Sequence, residues 1–255
     1  MPPVLMPQQP GRSPDSAPPA DDHPREGRDT GQDTGANTAA LLVLADGRFP
    51  AGSHAHSGGA EAAVRAGRIV DAGTLAEFCR GRLHTAGLTA SGLAAAAAHG
   101  HDPLGLDGAA DARTPSPALR RTSRKLGRQL MRAGRATWPS AGLDDLARAR
   151  PGGAHQPVVL GLVAAAAGLT PLQAAYAAAY EAVSGPAGAA VRLLGLDPFE
   201  ASAVLARLVP DVDGIAGEAA RAARGPVDSL PAAAAPLLEI TAEDHASWAV
   251  RLFAS

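Results

Sequence analysis

Runs of alanine, punctuated by glycine and proline, leave this chain little alternative to helices. Leu93–Ala98 reads LAAAAA, and alanine dominates again from Ala174 to Ala189. Alanine has the highest intrinsic helix propensity, and from Thr38 onward no segment alternates as a strand does. The same composition limits the core. Burying a methyl group yields roughly 0.8 kcal/mol, against about 1.5–3 kcal/mol for a leucine or phenylalanine, and aromatic residues are only 3% of the chain. Such a fold needs helices that approach closely or a large interface, and so favours an oligomer.

Residues 1–37 are rich in Pro, Asp, Gly, Gln and Ser, with almost no large apolar side chain after Met6. They cannot offset the entropy of ordering and are expected to form a disordered extension. The expected architecture is all-α, a single helical domain of about ten helices over 38–255. Thr74-Leu75-Ala76-Glu77 reads as a capping box opening a helix to about Leu88, followed by a plain helix at Leu93–Ala98. Pro103, Gly105 and Gly108 mark a long loop to about Thr114. Ser116 and Pro117 read as N-cap and first position of a helix closing at Gly134. A loop at Pro151-Gly152-Gly153 precedes a helix at Val158–Ala167. Another starts at Thr170-Pro171, is interrupted at Gly185-Pro186 and resumes over Ala187–Leu194. Asp197-Pro198 opens a helix to Val209, and the last two are expected near Ile215–Arg224 and Glu243–Val250.

The net charge of −2 argues against a general nucleic-acid binder. Basic residues nevertheless concentrate between Arg120 and Arg135, which holds seven and no acid. Like charges one turn apart repel, so an acidic partner would relieve this helix, although a solvated face is the plainer reading. Its Ser123 and Gly127 are small and one turn apart, which suits close approach of another helix. Cys79 is alone, so an internal disulfide is excluded and a reducing compartment is expected. The N-terminus lacks the apolar core of a secretory signal, and the longest apolar run, Val158–Leu169, is short of the roughly 20 residues a membrane helix needs. A cytoplasmic protein is expected. Neither a Gly-x-Ser-x-Gly elbow nor a phosphate-cradling Gly-x-x-x-x-Gly-Lys-Ser/Thr loop occurs. No catalytic residue and no cofactor is assigned.

Leu41–Ala66 is the most informative stretch: a short apolar run enters a loop with Pro50, Gly52, Gly58 and Gly59, and a helical pattern resumes with Glu61 in its first turn. His56 and Ser57 sit where the chain turns. Two readings stand for the histidines. His54, His56, His99, His101 and His155 could serve a small metal- or ligand-binding helical protein, although a metal site needs three or four converging ligands. Alternatively the loop is an interaction surface, with His56 fixing the turn through Ser57 and backbone groups. Farther on, Tyr176, Tyr180 and Ser184 recur one turn apart, and Arg192 stands on an otherwise apolar segment, where it needs a carboxylate or the surface. The chain ends Arg251-Leu252-Phe253-Ala254-Ser255, with two large apolar residues where an end is ordinarily polar. Burying that pair nearly cancels the cost of ordering five residues, so the tail is expected to be loose until a partner adds contacts.

The order Phe49-Pro50-x-Gly52-x-x-x-His56-Ser57-x-Gly59-x-Glu61 resembles the N-terminal signature of the urease accessory protein F family, usually called UreF. Further likenesses lie at Leu119–Gly127, at His155-x-Pro157-Val158-Val159-x-Gly161, over Ser184–Leu193, and in Arg251-Leu252-Phe253-x-Ser255. The resemblance therefore spans about residues 40–255. It implies a helical chaperone for nickel insertion into urease, with no catalysis and no resident metal of its own. It also implies a homodimer that joins accessory protein D (H in some organisms) to the nickel-carrying GTPase, accessory protein G. The assembly would present the GTPase to apo-urease and couple GTP hydrolysis to nickel release. The candidate partner-binding residues are Pro50, Gly52, His56, Ser57, Gly59 and Glu61 in the loop, Tyr176, Tyr180, Ser184 and Arg192 farther on, and Arg251, Leu252, Phe253 and Ser255 in the tail. Neither nucleic acid nor membrane is implied as a partner.

Overall fold

The computed structural model describes residues 2, 30–52 and 55–253, with side chains from 38 onward. Most of the extension expected to be disordered therefore lies outside the described residues, although the first helix, α1 (Thr30–Ala45), begins within its last residues. Every regular element among the described residues is helical, and they form one domain.

The loop leads to the short α2 (Ala60–Arg65) and then to α3 (Ala72–Arg82). The capping box of α3 sits one turn earlier than expected. Asp71 accepts from Thr74 N at 2.8 Å, and Asp71 N donates to Thr74 Oγ1 at 3.1 Å, which makes Thr74 the third helical residue and not the cap. A π-helical turn at Leu83–Gly87 carries α3 directly into α4 (Leu88–His99), so the two helices expected there are one rod.

The expected loop after Pro103 is instead α5 (Pro103–Ala112). Asp102 accepts from Leu104 N and Gly105 N, and Pro103 sits at the first helical position, where its missing N–H costs nothing. Helix α6 (Pro117–Thr137) opens on Ser116 as expected and runs one turn past Gly134. The unanticipated α7 (Ala141–Ala149) is capped by Ser140 and held by buried Leu143 and Leu146.

Three helices make the first core: α4, α8 (Gln156–Ala166) and α9 (Pro171–Leu194), with α6 and α11 (Val209–Ala222) packed around them. Close approach is built at glycines. A Cβ on Gly161 of α8 would lie 2.2 Å from Ala94 O, and one on Gly127 of α6 would lie 2.0 Å from Ala154 O. Ser123, expected to pack in the same way, hydrogen-bonds instead: its Oγ meets His155 Nδ1 at 3.0 Å and accepts from Gln156 N at 3.2 Å. A second core beneath α2, α3 and α10 (Pro198–Arg207) buries Ile69, Leu75, Leu83, Val204, Leu208 and Phe253. Buried Cys79 belongs to it, with its thiol pushed up to about 11 by burial. Leu208 ends α10 and α11 starts at once, not at Ile215; α12 is Pro236–Ser247 and ends before Val250. Among the described residues no helix is long and apolar enough to cross a membrane.

Helix α9 spans both cores and passes through Gly185-Pro186 without the expected interruption. Pro186 has no N–H to give Ala182 O, the carbonyl four residues back. Arg82 supplies one instead: its Nε donates to Ala182 O at 3.0 Å. An arginine on α3 thus repairs the ladder that proline opens in α9. Arg82→Met should destabilise the fold by about 1–3 kcal/mol, the cost of an unpaired buried carbonyl. In a Pro186→Ala background residue 186 regains its N–H, and the same substitution should cost clearly less. Urea unfolding of the four variants measures this coupling, and equal costs in both backgrounds would refute it.

Candidate functional site

The loop between α1 and α2 is shaped by left-handed backbone and by close neighbours. Gly52, Gly58 and Gly59 have φ of +83°, +60° and +90°, a region that suits glycine. A Cβ on Gly52 would also lie 1.6 Å from Gln129 Oε1. Phe49 is buried and stacks on Trp138 at 5.7 Å. Pro50, one residue on, is exposed at the turn. His56 and Ser57 are both buried, and Ser57 Oγ accepts from Glu61 N at 3.3 Å. The turn therefore delivers the side chain of Glu61 inward.

Glu61 is the centre of the site, and only 8% of it is exposed. His245 Nε2 on α12 donates to Oε2 at 2.9 Å. From the tail, Leu252 N donates to Oε1 at 2.8 Å and Phe253 N donates to Oε2 at 3.1 Å. Burial pushes this carboxyl up. The N–H groups of Leu252, His245 and Phe253 outweigh it and hold the group below its ordinary 4.5. The ring of Phe253 enters the second core, with the Arg192 guanidinium 4.5 Å from its centroid. Beside it, His245 packs on Trp248, which lies 4.1 Å below the Arg65 guanidinium.

This corrects the expectation of a loose tail. The free chain already docks Phe253 on itself, and Leu252 and Val250 face solvent at 75% and 79% exposure. The reason is the buried carboxylate. Apolar transfer alone roughly cancels the cost of ordering, and hydrogen bonds to a charged acceptor add about 1.5–3 kcal/mol each before its desolvation is counted. Arg251 is exposed, and Ser255 lies outside the described residues.

The structure brings Tyr180, Ser184 and Arg192 of α9 together along a cavity of about 270 Å³, closed on its other side by Leu44, Asp46 and Phe49. Tyr176 does not join them; it packs on the first core, where burial and the Asp213 carboxylate hold its phenol above the ordinary range. A second cavity of about 410 Å³ lies between α6, α9 and α12, and His56, Gln156, Glu181 and Gly185 border both. Gln156 Nε2 donates to Glu181 Oε2 at 2.6 Å, and burial raises the Glu181 carboxyl. Glu181, Gln156, Arg82 and His245 carried no signal in the sequence, because each acquires its partner only through the tertiary fold.

The histidines are committed elsewhere. Burial draws His155 below its ordinary 6.5, so its neutral ring donates from Nε2 to Asp111 Oδ1 at 2.8 Å and accepts from Ser123 at Nδ1. Asp107, buried, takes Arg124, Arg150 and His155 N, and this clamp ties α5, α6 and α8 together. His101 Nε2 donates to Ala223 O at 2.8 Å, and His99 lies against His101. His54 lies outside the described residues. Among the described residues no group of three or more His, Cys, Asp or Glu is placed to hold a metal ion.

The profile of the UreF family matches residues 69–209. The urease accessory protein UreF of Mycolicibacterium vanbaalenii is 41% identical over 224 residues, covering 86% of this chain and 100% of that protein. The protein of the same name from Mycobacterium sp. (strain JLS) is 43% identical over 216 residues, covering 84% and 97%. That from Mycobacterium tuberculosis (strain H37Rv) is 41% identical over 220 residues, covering 85% and 98%.

Glu61→Gln keeps the shape of the side chain but removes its charge and one acceptor. It should lower stability by about 1–3 kcal/mol at pH 7 and speed tryptic cleavage after Arg251. Because folding lowers the Glu61 value, its contribution is complete above the ordinary 4.5 and is lost as pH falls through the lower folded value. The difference between wild type and variant in urea unfolding should therefore shrink below that pH. A difference that persists unchanged at pH 3 would contradict this assignment.

Proposed function

This chain belongs to the UreF family of urease accessory proteins, and on that premise we propose how it serves urease maturation. It is an accessory protein of that process. In the proposed role it is a cytoplasmic, non-catalytic scaffold that binds accessory protein D (or H) on one surface and the GTPase, accessory protein G, on another. It presents the GTPase to apo-urease and couples GTP hydrolysis to nickel delivery, and nickel passes through the assembly.

One observation carries this reading: a tail pinned by Glu61, with Phe253 inward and Leu252 and Val250 outward. A terminus anchored through its backbone, with exposed large side chains, is preorganised for docking and has little ordering entropy left to lose on binding. The D-type partner is assigned to that surface. For the homodimer, the supporting feature is a second apolar surface where α1 packs on α9, with Leu42, Val43, Leu172 and Tyr180 between 40% and 68% exposed. Arg192 reaches toward both: it borders the cavity with Leu44 and Tyr180, and its guanidinium lies over the Phe253 ring.

Leu252→Asp removes an exposed apolar contact and leaves the Glu61 hydrogen bonds, which come from backbone. Capture of the D-type partner from cells expressing the three accessory proteins should fall at least about tenfold, as for a central interface residue, with the melting temperature unchanged. Undiminished capture would remove the tail from the interface. Arg192→Ala loses the stacking on Phe253 and should impair urease activation more than it lowers the melting temperature. Equal loss of fold and activation would make that arginine structural.

A further inference from the structure

Helix α6 carries a continuous cationic stripe. Arg121, Lys125, Arg128, Arg132 and Arg135 are spaced alternately four and three residues apart and are all exposed. At 100° per residue they fall within about 80° of arc and extend over roughly 21 Å. The other two basic residues of the helix point elsewhere: Arg124 into the Asp107–Asp111 clamp, and Arg120 to Thr114 O and Pro115 O.

Neutralisation from within the chain is slight. Arg135 pairs with Asp144 at 2.6 Å, and Arg128 donates to Gly152 O. Arg121, Lys125 and Arg132 make no hydrogen bond or ion pair among the described residues. Glu243 feels the charge of Arg121, but the same Glu243 carboxylate already caps α6 through Ser116 Oγ and Ala118 N. Without the seven basic residues of α6, the chain's net charge of −2 becomes −9. The stripe is thus a cationic strip on an otherwise acidic protein. Arg121 and Lys125 also border the larger cavity, together with Arg251 of the tail.

We propose that this stripe docks an acidic segment of another protein, with carboxylates at helical i, i+3/i+4 spacing along α6. Neighbouring cations stand one turn apart, the spacing at which such carboxylates recur. The strong charge asymmetry orients an incoming partner and raises its on-rate more than any single exposed pair adds affinity. A nucleic acid fits less well. The stripe carries no aromatic side chain for base stacking, and the remainder of the surface repels a polyanion longer than the helix. The inference does not depend on the urease reading.

Fluorescence anisotropy of the purified full chain tests it, with a labelled 20-residue helical peptide bearing Glu at every third or fourth position. The peptide's Gln counterpart and a 20-nucleotide single-stranded oligodeoxynucleotide are the comparison probes. The Glu peptide should bind at 50 mM NaCl and weaken at 150 mM, and the Gln peptide should not bind. Arg121→Glu/Lys125→Glu/Arg132→Glu should weaken binding at least tenfold with the circular dichroism spectrum unchanged. Arg68→Glu/Arg207→Glu/Arg224→Glu, with the same change in net charge, should leave it within twofold. Absence of binding, equal loss in both triple variants, or an oligonucleotide that binds as tightly as the Glu peptide would each overturn the proposal. So would loss of self-association in the α6 variant, which would assign the stripe to a second copy of this chain.

Discussion

A buried carboxylate must be paid for in hydrogen bonds, and Glu61 collects them from distant parts of the chain. Its acceptors meet the backbone of Leu252, 191 residues away, and the imidazole of His245 on α12. The glycines at 58 and 59 turn the chain so that Ser57 receives Glu61 N and the side chain points inward. That single orientation closes α12 over α2, seats Phe253 in the second core, and brings it under Arg192. Leu252 and Val250 are left facing solvent as a result.

The rest of the fold follows from small side chains. Alanine and glycine give little apolar energy per residue, so the chain gains contact by close approach until backbone meets backbone, as at Gly161 against Ala94 O and Gly127 against Ala154 O. Polar clamps then do what large aromatics do in other cores. Asp107 ties three elements through Arg124, Arg150 and His155 N, and Arg82 completes the backbone of α9 where Pro186 leaves it open. Each clamp is specific because a buried polar group left unpaired costs more than the bond itself contributes.

Much of the fold was legible in the chain, because helix starts are local. Ser116-Pro117, Thr170-Pro171 and Asp197-Pro198 all cap as their sequence indicates. Two of the differences share one cause: proline is ambiguous without its surroundings. Asp102-Pro103 is the same N-cap signal as Asp197-Pro198, yet the nearby glycines made it resemble a loop. Gly185-Pro186 looked like a break because nothing local reveals that Arg82, 100 residues earlier, bonds the orphaned carbonyl. At the site, Glu61, Arg192 and Phe253 could each be singled out, but their pairing could not. A carboxylate at a helix start, a charge on an apolar segment and an apolar terminus are separate local oddities until the fold superposes them. His245 bore no local mark at all.

The central claim is that the tail is held on its own chain by the Glu61 carboxylate before any partner arrives. Amide hydrogen exchange at Leu252 and Phe253 in the free protein, read by NMR at neutral pH, tests it most directly. The structure predicts that both amides are strongly protected, and that Glu61→Ala returns them to the rates of an unstructured peptide. Unprotected amides in the wild-type chain would contradict it.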